Sequence, residues 1–258
     1  MSISTHAGNL VRPTVVSPES MYHTVMEMGL VPFFENVVPG YSIEELTPPQ
    51  FWFDGDGAAL GPWDWKIECV QSGDIAYGKF LLGGKAAFAT VEWYRELRNW
   101  RRSLLKYQPS ADGQTILDYL QREGSIGIRE VRGLLGVKKS AADAAIARLQ
   151  LQCRVVTGDI VRVYRGEDLR YSGWQTSSFC TPEALFGEEG PTPGGPGATG
   201  GPGVAGMSAP GVPAGFPFGP SASLKVGHSP EESYRRLSAH IRNLVPDITE
   251  KQLQKLLG

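Results

Sequence analysis

The stretch 114–164 constrains the fold more than any other, because its hydrophobic period switches from helical to strand-like within one short run. Residues 115–122 place Ile116, Leu117, Tyr119 and Leu120 at helical spacing, and Gly124 follows as a glycine stop. Residues 125–127 make a short extended link. A second short helix over 128–135 carries Ile128, Val131, Leu134 and Leu135 and is closed by Gly136. Ser140 is the expected N-cap of a third helix, with Asp143 three residues on as a box partner. The alanine-rich run to Leu151 is the strongest helix former in the chain. Residues 153–157 and 160–164 are β-rich runs on either side of Gly158-Asp159, a two-residue turn signal. Three helices and then a two-stranded hairpin predict a winged helix, whose third helix enters a major groove.

Charge is distributed unevenly around this stretch. Residues 19–94 hold three Lys/Arg against eleven Asp/Glu, whereas residues 95–165 hold fourteen against seven. The basic half coincides with the predicted winged helix and points to a polyanionic partner; the plainer reading is that the two halves attract each other. Cys69, Cys153 and Cys180 are odd in number and far apart, so neither a disulfide framework nor a metal spacing is expected. No apolar run reaches the roughly 18 residues of a membrane span, and the first residues lack a signal-peptide layout. A cytoplasmic chain without cofactor or membrane partner is the expectation.

In chain order, residues 1–18 read as a flexible leader. Ser17-Pro18-Glu19 starts a helix that carries Tyr22, Val25 and Met26 and stops at Gly29. Residues 30–40 are too proline-punctuated for a regular element. An acidic glycine loop over 54–61 precedes three expected strands at 65–70, 75–82 and 85–93, an antiparallel meander. A helix over 94–106 has Leu97, Trp100, Leu104 and Leu105 on its apolar side. After the winged helix, 171–179 reads as a further strand and 181–186 as a short helix. Glycine and proline then supply twenty of the thirty-seven residues of 187–223, which predicts a linker. Order resumes at Ser229-Pro230-Glu231, with an apolar stripe of Tyr234, Leu237, Ile241 and Leu244, and Thr249 opens a last short helix.

Three sets of side chains carry possible chemistry. Lys138, Lys139 and Arg148 bracket the third helix and suit phosphates, with Arg98, Arg101 and Arg102 extending the stripe; each also reads as a solvated face or as a partner of the acidic half. The alanines of the third helix leave little to read base edges. Gln150 and Gln152 are amides able to hold a base edge or orient water. They share a face if Gln152 is already in strand geometry and diverge if both are helical; the plainer role is a helix end bonded to nearby backbone. Trp63 and Trp65, with Asp64 between them, suit stacking on a base or sugar, or else anchor a strand edge.

The segments FFENVVPGYSIEELTPPQFWF, GPWDWK, YGKFLLGGKAAFATVEW and RLQLQ resemble bacterial AlkZ-related proteins, over roughly residues 19–187. The namesake AlkZ/YcaQ-type DNA glycosylases are built from winged-helix units and excise alkylated or crosslinked bases. A Gln-hydrophobic-Gln motif there positions the catalytic water, and Gln150-Leu151-Gln152 matches it in letters. The resemblance therefore implies Gln150 and Gln152 as catalytic residues.

The expected architecture is α+β: a leader (1–18), a subdomain with a small antiparallel meander (19–110), a winged helix (111–186), a Gly/Pro linker (187–224) and a helical tail (225–258). The expected function is a DNA-associated, repair-type protein. The competing expectation is an interaction module that captures a protein partner, or a second copy, through 229–257.

Overall fold

The computed structural model describes residues 13–52, 60–187 and 224–258. The leader to residue 12, the loop acids Asp54 and Asp56, and the glycine–proline stretch 188–223 lie outside the described residues.

Helix α1 (Pro18–Met28) begins where the sequence places it: the Ser17 hydroxyl accepts the Ser20 amide at 3.1 Å, and Gly29 ends the helix at φ +67°. Strand β1 (Leu30–Pro32) follows at once, in the stretch expected to be irregular. Short helix α2 (Ile43–Leu46) leads to α3 (Pro62–Gln71), then β2 (Ile75–Gly78) and β3 (Ala87–Thr90). The three strands form one antiparallel sheet of order β1-β3-β2.

The strand expected at 65–70 is thus helical. Gly61 and Pro62 provide an N-terminus, and Trp65, Ile67, Cys69 and Val70 are all buried, so the alternation of apolar residues reflects a helix enclosed on several sides. The third strand of the sheet comes from residues 30–32 instead.

Helix α4 (Val91–Ser103) crosses to α5 (Ala111–Glu123), β4 (Ile126–Gly127), α6 (Ile128–Leu135) and α7 (Lys139–Leu151). Gly124 at φ +81° and Gly136 at φ +66° end α5 and α6 as expected. Lys138, not Ser140, is the N-cap of α7, without a side-chain cap; Asp143 pairs with Lys139 at 2.7 Å.

Strand β5 (Val156–Arg165) runs unbroken through the expected turn at Gly158-Asp159, where the register shifts by a bulge. A Cβ on Gly158 would lie 2.8 Å from Cys180 Sγ, so close approach of the next strand fills the space a side chain would need. The chain reverses later, at residues 166–169, into β6 (Arg170–Cys180). The second sheet is antiparallel, order β4-β6-β5. Helices α8 (Pro182–Phe186), α9 (Pro230–Leu244) and α10 (Glu250–Leu257) complete an α+β structure.

Two hydrophobic clusters result. One joins the first sheet to α1, α3, α4 and the tail helices; the other lies between α5, α6 and α7, with Val155 and Phe179. The tail docks on the body: Leu237, Ile241, Leu253, Leu256 and Leu257 are buried in the first cluster. His240 stacks on Trp93 at 3.7 Å and donates to the Met28 carbonyl at 2.8 Å. No helix among the described residues is long and apolar enough to cross a membrane.

Candidate functional site

The two clusters leave a cleft of about 960 Å³ between them. Its walls are the 79–86 loop joining β2 to β3, the start of α6, one face of α7, and the β5–β6 ladder; Phe34, Trp63 and Tyr77 add aromatic surface. Lys79, Lys85, Arg129 and Lys139 line it together with Glu130, Asp143 and Asp159. Glu130 is already engaged in capping the Gly127 amide at 2.6 Å, and Asp143 in pairing with Lys139.

Gln150 forms part of the wall. Its side-chain oxygen accepts the Lys79 amide at 3.1 Å and its nitrogen donates to the Thr157 hydroxyl at 3.3 Å. One amide therefore fastens α7 to the end of β2 and to β5. The approach is tight at Gly78, where a Cβ would lie 2.8 Å from the Gln150 nitrogen and would make that amide shift. Two hydrogen bonds leave Gln150 one further amide proton and oxygen lone-pair capacity.

Gln152 caps the C-terminus of α7 in helical geometry, so the two glutamines diverge as helical positions two apart must. Gln152 is 1% exposed and donates to the Gln108 carbonyl at 3.0 Å. Its oxygen is buried without a hydrogen-bond partner among the described residues. It lines a second, smaller pocket of about 390 Å³ together with Lys79, Gly84, Lys106, Tyr107, Ala147, Arg148 and Leu151. The two side chains therefore line different pockets.

Of the two tryptophans, Trp63 faces the cleft and is 44% exposed, whereas Trp65 is 5% exposed and packs on Phe51. Trp63 is held at its back by Lys66, whose ammonium lies 3.3 Å from the ring centroid and donates to the Trp63 carbonyl and, at 2.5 Å, to Gln175. Burial pushes the Lys66 pKa down to about 7, with Asp64 opposing the shift and Arg162 adding to it. Asp64 in turn accepts from Arg162 at 2.9 Å and from Gln175 at 3.2 Å. Lys66, Arg162 and Gln175 belong to this assembly and were not singled out from the sequence. A lysine next to two tryptophans in GPWDWK was the only signal available.

The basic residues divide into two groups. Arg101 is fully buried and donates to the Leu151 and Leu257 carbonyls at 3.0 and 2.5 Å. Arg98 and Arg102 both meet Glu183 at 2.6 Å, and Arg102 also donates to the Cys153 carbonyl at 2.7 Å. These three join α4 to α7, α8 and the tail, and a carboxylate and backbone carbonyls are their partners. Lys138, Lys139 and Arg148 are exposed. Beyond the cleft, the β5–β6 hairpin exposes Tyr164, Leu169 and Trp174, an apolar set that the misplaced turn concealed.

A family model described as AlkZ related matches residues 15–194. No curated protein and no solved structure matches the chain.

Proposed function

Because the chain belongs to the AlkZ-related family, we propose that it is a nucleic-acid-associated protein of repair type whose cleft receives an unstacked nucleotide. In this reading α5–α7 and the second sheet act as a winged helix. One observation carries it: Lys139, Asp143, Ile146, Ala147 and Gln150 of α7 wall a cleft, opposite the 79–86 loop. A duplex groove is too bulky for that space. A single base turned out of its stack is not, and it would meet the aromatic face of Trp63, the free capacity of Gln150, and cations suited to the flanking phosphates. The hairpin with Tyr164 and Trp174 offers further stacking surface.

Base excision is the finer form of the same reading. It assigns substrate contact to Gln150 and leaves Gln152 as a positioning residue at the end of α7. The competing module reading has less support, because the apolar stripe of the tail is covered by the body.

The test uses a duplex carrying 2-aminopurine opposite a mismatch, whose fluorescence rises on unstacking. The expected result is saturable binding at low salt with a fluorescence change that Trp63→Ala alters. Absence of binding to single-stranded and duplex DNA at low salt would refute the reading. Abasic-site formation on alkylated duplex, abolished by Gln150→Ala, is the measurement for excision.

A further inference from the structure

The smaller pocket differs from the cleft in one respect that the proposed function does not use: it is lined by three cations, Lys79, Lys106 and Arg148, and by no carboxylate. All three are exposed, and none is in an ion pair among the described residues. Clustering like charges without a counter-charge is unfavourable unless an anion or solvent screens them.

The helix end beside them is prepared in the same sense. The last carbonyls of a helix carry negative partial charge and repel anions. Here all four are occupied. Arg148 O accepts from the Gln152 amide, Leu149 O from Arg154, Gln150 O from Cys153, and Leu151 O from the Arg101 guanidinium. Arg101 also lies 4.7 Å from the Tyr107 ring centroid, so a buried positive charge backs the Tyr107 wall of the pocket. Gly84, in the lining of the pocket, holds positive φ with open space where a Cβ would be.

Lys79, Gly84 and Ala147 belong to both pockets. The two are therefore adjacent over one sill, with Trp63 and Gln150 on one side, Lys106 and Arg148 on the other, and Lys79 shared. We propose that the smaller pocket is a phosphate site, which holds a backbone phosphate of a single strand while a neighbouring base occupies the cleft. This rests on the nucleotide-cleft reading above and adds the register of the strand: it crosses α7 at Ala147, between Gln150 and Arg148.

The test measures anisotropy of a fluorescein-labelled twelve-residue oligothymidylate across a salt series, with the full chain. Three double variants are compared: Lys106→Ala with Arg148→Ala in the pocket, Arg129→Ala with Lys139→Ala in the cleft, and Arg235→Ala with Lys251→Ala on the tail as a charge-matched control. All six side chains are exposed, and unchanged thermal midpoints establish that the variants fold. The expected result is at least a tenfold loss of affinity in the pocket variant. The slope of log affinity against log salt should fall by about 0.7, the value for one lost single-strand phosphate contact. The control should bind as the parent does.

Pocket-variant binding equal to the parent, with the cleft variant weakened, overturns the phosphate site and leaves the cleft reading in place. No oligonucleotide binding by the parent removes both. Titration calorimetry with inorganic pyrophosphate separates the sources of phosphate. Pyrophosphate binding lost in the pocket variant, with oligonucleotide binding intact, makes the pocket a small-anion site and overturns its place on the strand.

Discussion

Glu183 shows how a single residue decides the fate of a charge pattern. Burial pushes its carboxyl up, but Arg102 and Arg98 outweigh burial and hold it at about 2. Its folded pKa lies below its unfolded one. The stabilisation is therefore complete above the ordinary carboxylate pKa of 4.5 and is lost as the pH falls from there towards 2. The size is on the order of 3 kcal/mol. Glu183→Gln should lower stability in urea by about 3 kcal/mol at pH 7, because it leaves two arginines facing a neutral amide. The gap between parent and variant should narrow to under about 1 kcal/mol as the pH falls towards 2.5; a constant gap would show that the arginines, not the carboxylate charge, set the effect. Lys66 has the same sign in a higher pH window, but there folding favours the neutral form. Its folded pKa of about 7 lies below the ordinary lysine value of 10.5, so the folded state loses the proton first. Stability attributable to Lys66 should rise between pH 7 and 10 and disappear in Lys66→Met, read as the difference in thermal midpoint between pH 7 and 9. Parallel pH profiles for the two proteins would mean that the ammonium is solvated.

Among the elements, those with local stop and start chemistry were legible. The caps of α1, α9 and α10 are Ser or Thr side chains accepting a nearby amide, and α5 and α6 end on glycines that take positive φ. The elements misread were those defined by distant partners. Strand β1 is three residues long and exists because Leu30 to Pro32 pair with residues 87–89. Helix α3 looked like a strand because most of its surface is buried. The β5 bulge looked like a turn because Gly158 avoids Cys180, a contact that only the folded sheet creates. The site was partly legible for the same reason. Trp63, Lys139 and Gln150 do meet in one cleft, but Arg98, Arg101 and Arg102 are diverted by a carboxylate and carbonyls far along the chain. The seam between β2 and α7 can be tested as a unit. Gly78→Ala should cost about 1–3 kcal/mol by overpacking against Gln150. In a Gln150→Ala background the same change should cost at least about 1 kcal/mol less, since the obstructing amide is gone. Additive costs would place the strain elsewhere than on this contact.

At the scale of the whole molecule, the tail supports the site rather than reaching away from it. The Leu82 amide donates to the Leu256 carbonyl at 3.0 Å, and Arg101 joins the carbonyl ends of α7 and α10. The 79–86 loop, shared by both pockets, is thus braced from behind by the last helix. A short helical pair of this size has too little core to fold alone, so its order depends on the body. Placing a specific protease site near residue 200 and cutting there should leave the two fragments as one species in size-exclusion chromatography. Cutting makes docking bimolecular, so the thermal midpoint should become dependent on protein concentration. Leu256→Ala weakens the docking without touching either pocket's cations, and removing a buried leucine costs about 2–5 kcal/mol. In the cut protein it should lower oligonucleotide affinity at micromolar protein, with affinity recovering as the concentration of the tail fragment is raised. Full affinity in a body fragment freed of its tail would mean that the loop holds its place without the brace, and that the tail stabilises the fold but plays no part in the site.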